Sequence, residues 1–267
     1  MSKIKVGDTF QSTSCNTFTV IEVKNQENIT IKFNDVQGYQ VVTSSQTIRN
    51  GRVKNPYFPR LFNKGYFGVG LYKARIGSSS VNSKSTDEYR AWINMLSRCY
   101  DPNYIGTKAG RVCYSGVQVT DTWLNFQVFA EWYCKELKSP EIKFVLDKDL
   151  LSPDVKIYSP ETCCLIPEQL NIALIDRLSL NKTRKLSTIR KCKNGTYSVG
   201  VSLNKKFTTF SGYKTEKECF DLYLSNKEKE LNNSIEKYKS SLDEKVYLAL
   251  IEYSSKNSIR MSAYYDY

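Results

Sequence analysis

Tyr197-Ser198-Val199-Gly200-Val201-Ser202-Leu203, then Asn204-Lys205-Lys206 and Phe207-Thr208-Thr209-Phe210, is the stretch that decides the class of fold. Large apolar residues alternate with small or polar ones along 197–203, the period of two of a strand with one buried face. Asn204-Lys205-Lys206 reads as a turn and Phe207–Phe210 as the returning strand. Upstream, Lys185–Lys191 reads as a further strand. Downstream, Thr215 with Glu218 forms a capping-box signature for a helix through Cys219, Phe220 and Tyr223. More helix is expected from Lys227 to Tyr253, with Leu231, Ile235, Tyr238, Leu242, Val246, Leu250 and Ile251 as its apolar positions. The tail Ser254–Tyr267 is polar and aromatic and suggests no element.

Working toward the amino terminus, residues 122–137 read as a helix rich in aromatics (Trp123, Phe126, Phe129, Trp132, Tyr133) that ends before Pro140. Ser85 and Glu88 predict the cap of another helix, with Tyr89, Trp92, Ile93, Leu96, Cys99 and Tyr100 on its apolar face. Arg90, Asn94, Ser97 and Arg98 fall on the polar face. Gly77–Lys84 reads as a linker. Before it, Phe18–Val23, Ile29–Phe33 and Gly38–Thr43 read as strands of a small antiparallel sheet or barrel, followed by an extended basic arm. The expectation is an α+β protein in three parts: a small β-rich domain with a basic arm (1–84), a central domain (85–176), and a three-stranded sheet with helices (177–267).

The 267 residues are 40% hydrophobic and 25% charged, values of a folded chain rather than a disordered one. No apolar run reaches membrane length and the start, Met1–Asp8, is not a signal peptide, so a cytoplasmic location is expected. The eight cysteines are scattered and form no C-x-x-C pair, which favours free, buried thiols over disulfides or zinc. The formal net charge is +12. Its placement is more telling than its size. No acidic residue lies between Asp35 and Asp87, where Arg49, Arg52, Lys54, Arg60, Lys64, Lys73, Arg75 and Lys84 stand. None lies between Asp176 and Glu216, where Arg177, Lys182, Arg184, Lys185, Arg190, Lys191, Lys193, Lys205 and Lys206 stand. The remainder of the chain is on balance acidic. Two acid-free basic tracts suit a phosphate backbone, which any carboxylate would repel.

Five short blocks in the middle of the chain carry a resemblance: Tyr89–Tyr100, Gly116–Phe126, Leu146-Asp147-Lys148-Asp149, Ile157–Cys164 and Pro167–Asn171. In this order and spacing they resemble the HNH (His-Me finger) homing-endonuclease-like proteins of bacteriophages, which implies a central ββα finger with flanking helices over roughly 89–171. Residues 187–223, with Asn194–Val201, Gly212 and Thr215–Cys219, resemble the APETALA2-like DNA-binding module attached to such nucleases. That resemblance implies a sheet laid in the major groove and backed by a helix.

An HNH nuclease uses a histidine to deprotonate water, a metal to steady the leaving oxygen and an asparagine to orient the histidine. This chain contains no histidine. Asp147-Lys148 stands where the family has Asp-His, and Glu161-Thr162-Cys163 where it has Glu-Asn-Cys. A lysine ammonium is a donor without a lone pair and does not serve as a general base. The resemblance therefore implies a double-stranded DNA-binding protein whose nuclease centre (Asp147, Lys148, Asp149, Thr162) is inactive and which needs no cofactor. Arg184, Lys185, Arg190, Lys191, Lys193, Lys205 and Lys206, with Arg49, Arg52, Lys54 and Arg60, are its candidate DNA contacts. Two other readings stay open. One is an active nickase or endonuclease holding Mg2+ on Asp147 and Asp149. The other is a phage factor that binds and inhibits a host protein. Neither involves a membrane.

Overall fold

Phe18, Val20, Ile29, Ile31 and Phe33 are all fully buried, and they lie on one face of an antiparallel sheet. Its strands are β1 (Thr9–Gln11), β2 (Thr17–Asn25), β3 (Asn28–Phe33) and β4 (Gln40–Thr43), paired in chain order. Each buried Ile or Val adds roughly 2 kcal/mol of burial free energy, so this face anchors the segment after the sheet. The structure, a computed structural model, describes residues 3–13, 15–77, 83–105, 107, 114–174, 188–203 and 206–262; for 202, 203, 206 and 256–262 it describes the backbone only.

A short helix α1 (Ser45–Arg49) comes after β4, capped by Ser44, whose hydroxyl accepts from Thr47 N at 3.2 Å. The basic segment after it is not an extended arm. Ser12 Oγ donates to the carbonyls of Gly51 (3.2 Å) and Val53 (2.8 Å), and Val53 enters the sheet core. Asn55 Nδ2 donates to Asp35 Oδ2 at 2.5 Å. Gly51, Val53 and Asn55 are buried while Arg52 and Lys54 between them are exposed, so the segment is a strap with a period of two.

The chain then runs along the central helices. Tyr66 N donates to Leu124 O (2.9 Å) and Phe126 N to Tyr66 O (3.0 Å). Buried Gln127 grips the backbone of Tyr72 at both ends, accepting from its N at 2.9 Å and donating to its O at 3.0 Å. Residues 78–82 of the run read as a linker lie outside the described residues; on either side of them stand two paired strands, β5 (Arg75–Ile76) and β6 (Lys84–Ser85), antiparallel. Because Ser85 is held there, Thr86 rather than Ser85 caps helix α2 (Asp87–Tyr100), accepting from Tyr89 N at 3.3 Å. Trp92, Met95, Leu96 and Cys99 form its buried face. Arg98, placed on the polar face by periodicity, is half-buried, with its guanidinium 5.5 Å from the centre of the Tyr114 ring and hydrogen-bonded to Tyr158. After α3 (Pro102–Ile105) and β7 (Gln118–Val119), the run read as one helix over 122–137 divides. Asp121–Leu124 is a 3-10 turn, and Asn125 Oδ1 accepts from Gln127 N (3.0 Å) to open α4 (Phe126–Glu136) afresh.

Next come β8 (Phe144–Asp147), β9 (Ile157–Tyr158, parallel to β7), β10 (Cys164–Pro167, antiparallel to β8) and α5 (Glu168–Leu174). Strands β8 and β10 with α5 make a ββα unit. Strands β11 (Ile189–Lys191), β12 (Tyr197–Leu203) and β13 (Lys206–Tyr213) form a three-stranded antiparallel sheet. Thr215 and Glu218 form the expected capping box for α6 (Glu216–Tyr238), which is one continuous helix. The helix expected over Lys227–Tyr253 is interrupted by a 3-10 turn at Lys239–Ser241. Asp243 Oδ1 then accepts from Lys245 N (3.1 Å) to start α7 (Glu244–Ser262).

Contacts gather the chain into two compact units, Met1–Cys134 with Lys156–Ser159, and Lys135–Val155 with Pro160–Tyr267. The boundary expected at 84/85 falls inside the first unit. The one at 176/177 lies outside the described residues. In the second unit, Cys164, Ile166 and Leu170 of the ββα unit share a core with Leu231, Ile235, Tyr238, Val246 and Leu250, whereas Ile251 is exposed. The α+β expectation holds. Among the described residues no helix is long and apolar enough to cross a membrane. The described cysteines are free thiols, and Cys15, Cys99, Cys163, Cys164 and Cys219 are buried.

Candidate nucleic-acid interface

The ββα unit positions the first set of candidate residues. Asp147 pairs with Cys164 across β8 and β10, so it closes the strand and Lys148 opens the loop beyond. Asp147 Oδ1 accepts from the backbone N–H groups of Asp149 (3.0 Å) and Leu150 (2.8 Å), a side-chain cap of the loop. Burial holds its carboxyl above the usual carboxylate range, and Asp149 adds to that; the two N–H donors and Lys148 pull the other way. Lys148 is only 7% exposed. Its ammonium pairs with Asp149 Oδ1 and donates to Val155 O at 3.3 Å, while the Asp149 side chain itself is exposed. Thr162 is buried, its hydroxyl 3.7 Å from Cys163 Sγ. Burial, then the charge of Asp147, pushes the Cys164 thiol well above its ordinary range, so it stays protonated and unreactive.

The Lys148 side chain is thus tied into the loop by two oxygens, the Asp149 carboxylate and the Val155 carbonyl. The donor set does not suit a magnesium ion. Asp147 Oδ1 already serves two amides, and the ammonium beside Asp149 places positive charge where a divalent cation would need to come. Among the described residues no group of three His, Cys, Asp or Glu side chains stands ready for a metal.

The second set lies on the three-stranded sheet. Register pairs Ile189 with Val199 and Val199 with Phe210, and these face α6, where Val199 and Val201 pack on Cys219, Phe220 and Tyr223. The other parity makes an open face. Arg190 stands beside Ser198 and Ser198 beside Ser211, with Gly200 beside Thr209 and Ser202 beside Phe207. Arg190, Thr209 and Ser211 are exposed there. Lys191 belongs to the helix-facing parity and its ammonium reaches 5.9 Å from the centre of the Tyr197 ring at the sheet edge. Lys193 is exposed in the turn that Asn194 Oδ1 closes onto Thr196 N at 3.2 Å. Arg184, Lys185 and Lys205 lie outside the described residues, as does the side chain of Lys206, whose backbone opens β13.

The third set is the strap of the first unit, where Arg49, Arg52, Lys54 and Arg60 are all exposed. Among the described residues no carboxylate pairs with Arg52, Lys54 or Arg60. The outward direction of Arg52 and Lys54 comes from the inward anchoring of Gly51, Val53 and Asn55, and Asp35, the acid that opens this tract, is turned into the anchor.

One surface feature was missed at the sequence level. Phe207 is 67% exposed and its ring lies over Gly200, where a Cβ would overlap it. The available signal was the spacing of Phe207 from Phe210, which puts the two rings on opposite faces of one strand.

No protein-family model, curated protein or solved structure matches this chain.

Proposed function

We propose that this chain binds double-stranded DNA and does not cut it, as an HNH-like protein whose finger has become structural and whose APETALA2-like sheet is the reading surface. The observation that carries the proposal is the direction of the basic side chains. On the strap, inward residues fix the backbone and Arg52 and Lys54 between them are exposed; on the three-stranded sheet, Arg190 stands exposed on the open face. Such a surface is costly for a merely soluble protein, which intersperses the two signs, and well suited to a phosphate backbone. The ββα order of β8, β10 and α5 supports the kinship with HNH fingers, and the strand–strand–strand–helix order of β11–β13 and α6 supports the kinship with the APETALA2-like module. The held Lys148 supports a finger without nuclease chemistry.

The direct test is fluorescence anisotropy of a labelled duplex of random sequence, titrated with protein over a range of salt. Binding that weakens as a power of salt, losing about 0.9 in the log–log slope for each phosphate contacted, is the expected result. No binding at low salt would overturn the proposal and leave a protein partner as the function to pursue.

A further inference from the structure

We infer that Phe207 makes this sheet selective for duplex sites that place a thymine under it, its ring packing against the thymine C5-methyl group. The inference rests on the DNA-binding reading and deepens it to a specificity.

Phe207 is a large apolar side chain left 67% exposed on the open sheet face, beside exposed Thr209 and Ser211 and the Arg190 edge. A single exposed aromatic residue is ordinary in isolation. This one sits in a built seat. The Cζ edge of the ring meets Gly200 in the middle of β12, and a Cβ at that position would overlap it. Gly200 is not one of the glycines with positive φ, so the backbone does not call for glycine there. A glycine inside a strand costs roughly 0.5–1 kcal/mol relative to alanine and marks a close approach. Here the close approach is the Phe207 ring, whose Cζ edge meets the strand at Gly200.

Charge and shape identify the occupant. No acidic residue occurs between Asp176 and Glu216, so all three strands lie in an acid-free segment and the face complements a polyanion. A duplex keeps its base faces stacked, and a ring whose tip is turned back onto its own strand does not project to intercalate. What the major groove offers such a ring is base edges, and the apolar group among them is the thymine methyl. The hydroxyls of Thr209 and Ser211 have donor and acceptor partners on those same edges.

The experiment takes a duplex enriched from a random-sequence library by the full-length wild-type protein. It is resynthesised with deoxyuridine replacing thymidine one position at a time, which removes only the methyl group. Kd is measured for wild type, Phe207→Ala and Gly200→Ala, with thermal melting to confirm that each variant folds. Loss of one methyl contact is expected to weaken wild type about fourfold at one or two positions. Phe207→Ala is expected to be insensitive at those same positions, and Gly200→Ala to resemble it because the added methyl lifts the ring. Should Gly200→Ala fail to fold, Phe207→Ala decides alone. Wild type indifferent to deoxyuridine, or Phe207→Ala retaining the sensitivity, would overturn the inference and leave DNA binding standing. Failure of wild type to enrich any duplex would overturn both together.

Discussion

Asp147 accepts two backbone N–H groups and is penalised for carrying its charge in a buried place, so its two roles separate on mutation. Asp147→Asn keeps an oxygen for both amides and removes the charge; Asp147→Ala loses the cap. Melting at neutral pH should show Asn at or above wild type and Ala lower by about 1 kcal/mol. The folded-state pKa of Asp147 is raised, so its protonated form is the one folding favours. Its contribution is present below the carboxylate range and lost as pH rises through the folded value. Wild type should therefore gain stability relative to Asp147→Asn as pH falls from neutral toward about 4. A gap that widens in the opposite direction would show that the ionised carboxylate is the stabilising form. Lys148 was legible as a departure from the HNH-like pattern that the sequence resembles, since no histidine exists anywhere in the chain. That its ammonium is buried was not legible. Sequence neighbours Asp147 and Asp149 look equivalent, and only the fold gives one to the backbone and the other to Lys148. Because Asp149 is exposed, replacing Lys148 by an apolar residue of similar volume leaves no buried charge unpaired, so Lys148→Met should melt no lower than wild type. A clear drop would show that the pair with Asp149 holds the loop.

Helix α6 joins two cores of the second unit: Cys219, Phe220 and Tyr223 under the sheet, then Leu231, Ile235 and Tyr238 against the ββα unit. Its start is a complete capping box, and Thr215→Ala should cost about 1 kcal/mol in a denaturant titration. A loss within error would mean the helix is fixed by packing alone. The strap of the first unit makes a different prediction. Arg52, Lys54 and Arg60 are exposed, so the triple change to Gln should leave melting unchanged while weakening duplex binding and flattening its salt dependence. An unaltered salt slope would remove the strap from the interface. Local signals explain which elements were readable. Strand β12 and the Thr215–Glu218 box are short-range patterns, and both formed as read. Competing local signals explain the shifts: Ser85 and Thr86 both cap well, and Asn125 and Asp243 recap chains that periodicity reads as continuous. Long-range demands were invisible. Nothing local says that Gln127 grips Tyr72, or that Ser12 fastens Gly51 and Val53 and so turns an apparent arm into a strap.

Across the whole molecule, the net charge of +12 resides in two segments from which acids are missing, and each described segment is anchored from within. The α+β class and the two acid-free basic tracts were legible, because alternation and charge are properties of the chain itself. Which basic side chain faces which way was not, because facing depends on register: pairing Arg190 with Ser198 sends it to the open side, and pairing Lys191 with Tyr197 sends it to the other. The measurement that bears most directly on a binder without nuclease chemistry is incubation of supercoiled plasmid with the protein, with and without Mg2+ or Mn2+. Mobility shift and strand breaks are scored in the same samples, beside the Asp147→Ala, Asp149→Ala double variant. A shift that salt abolishes, with no metal-dependent nicking, is the predicted result. Nicks that require the metal and vanish in the double variant would contradict it, and would make the finger a working nuclease.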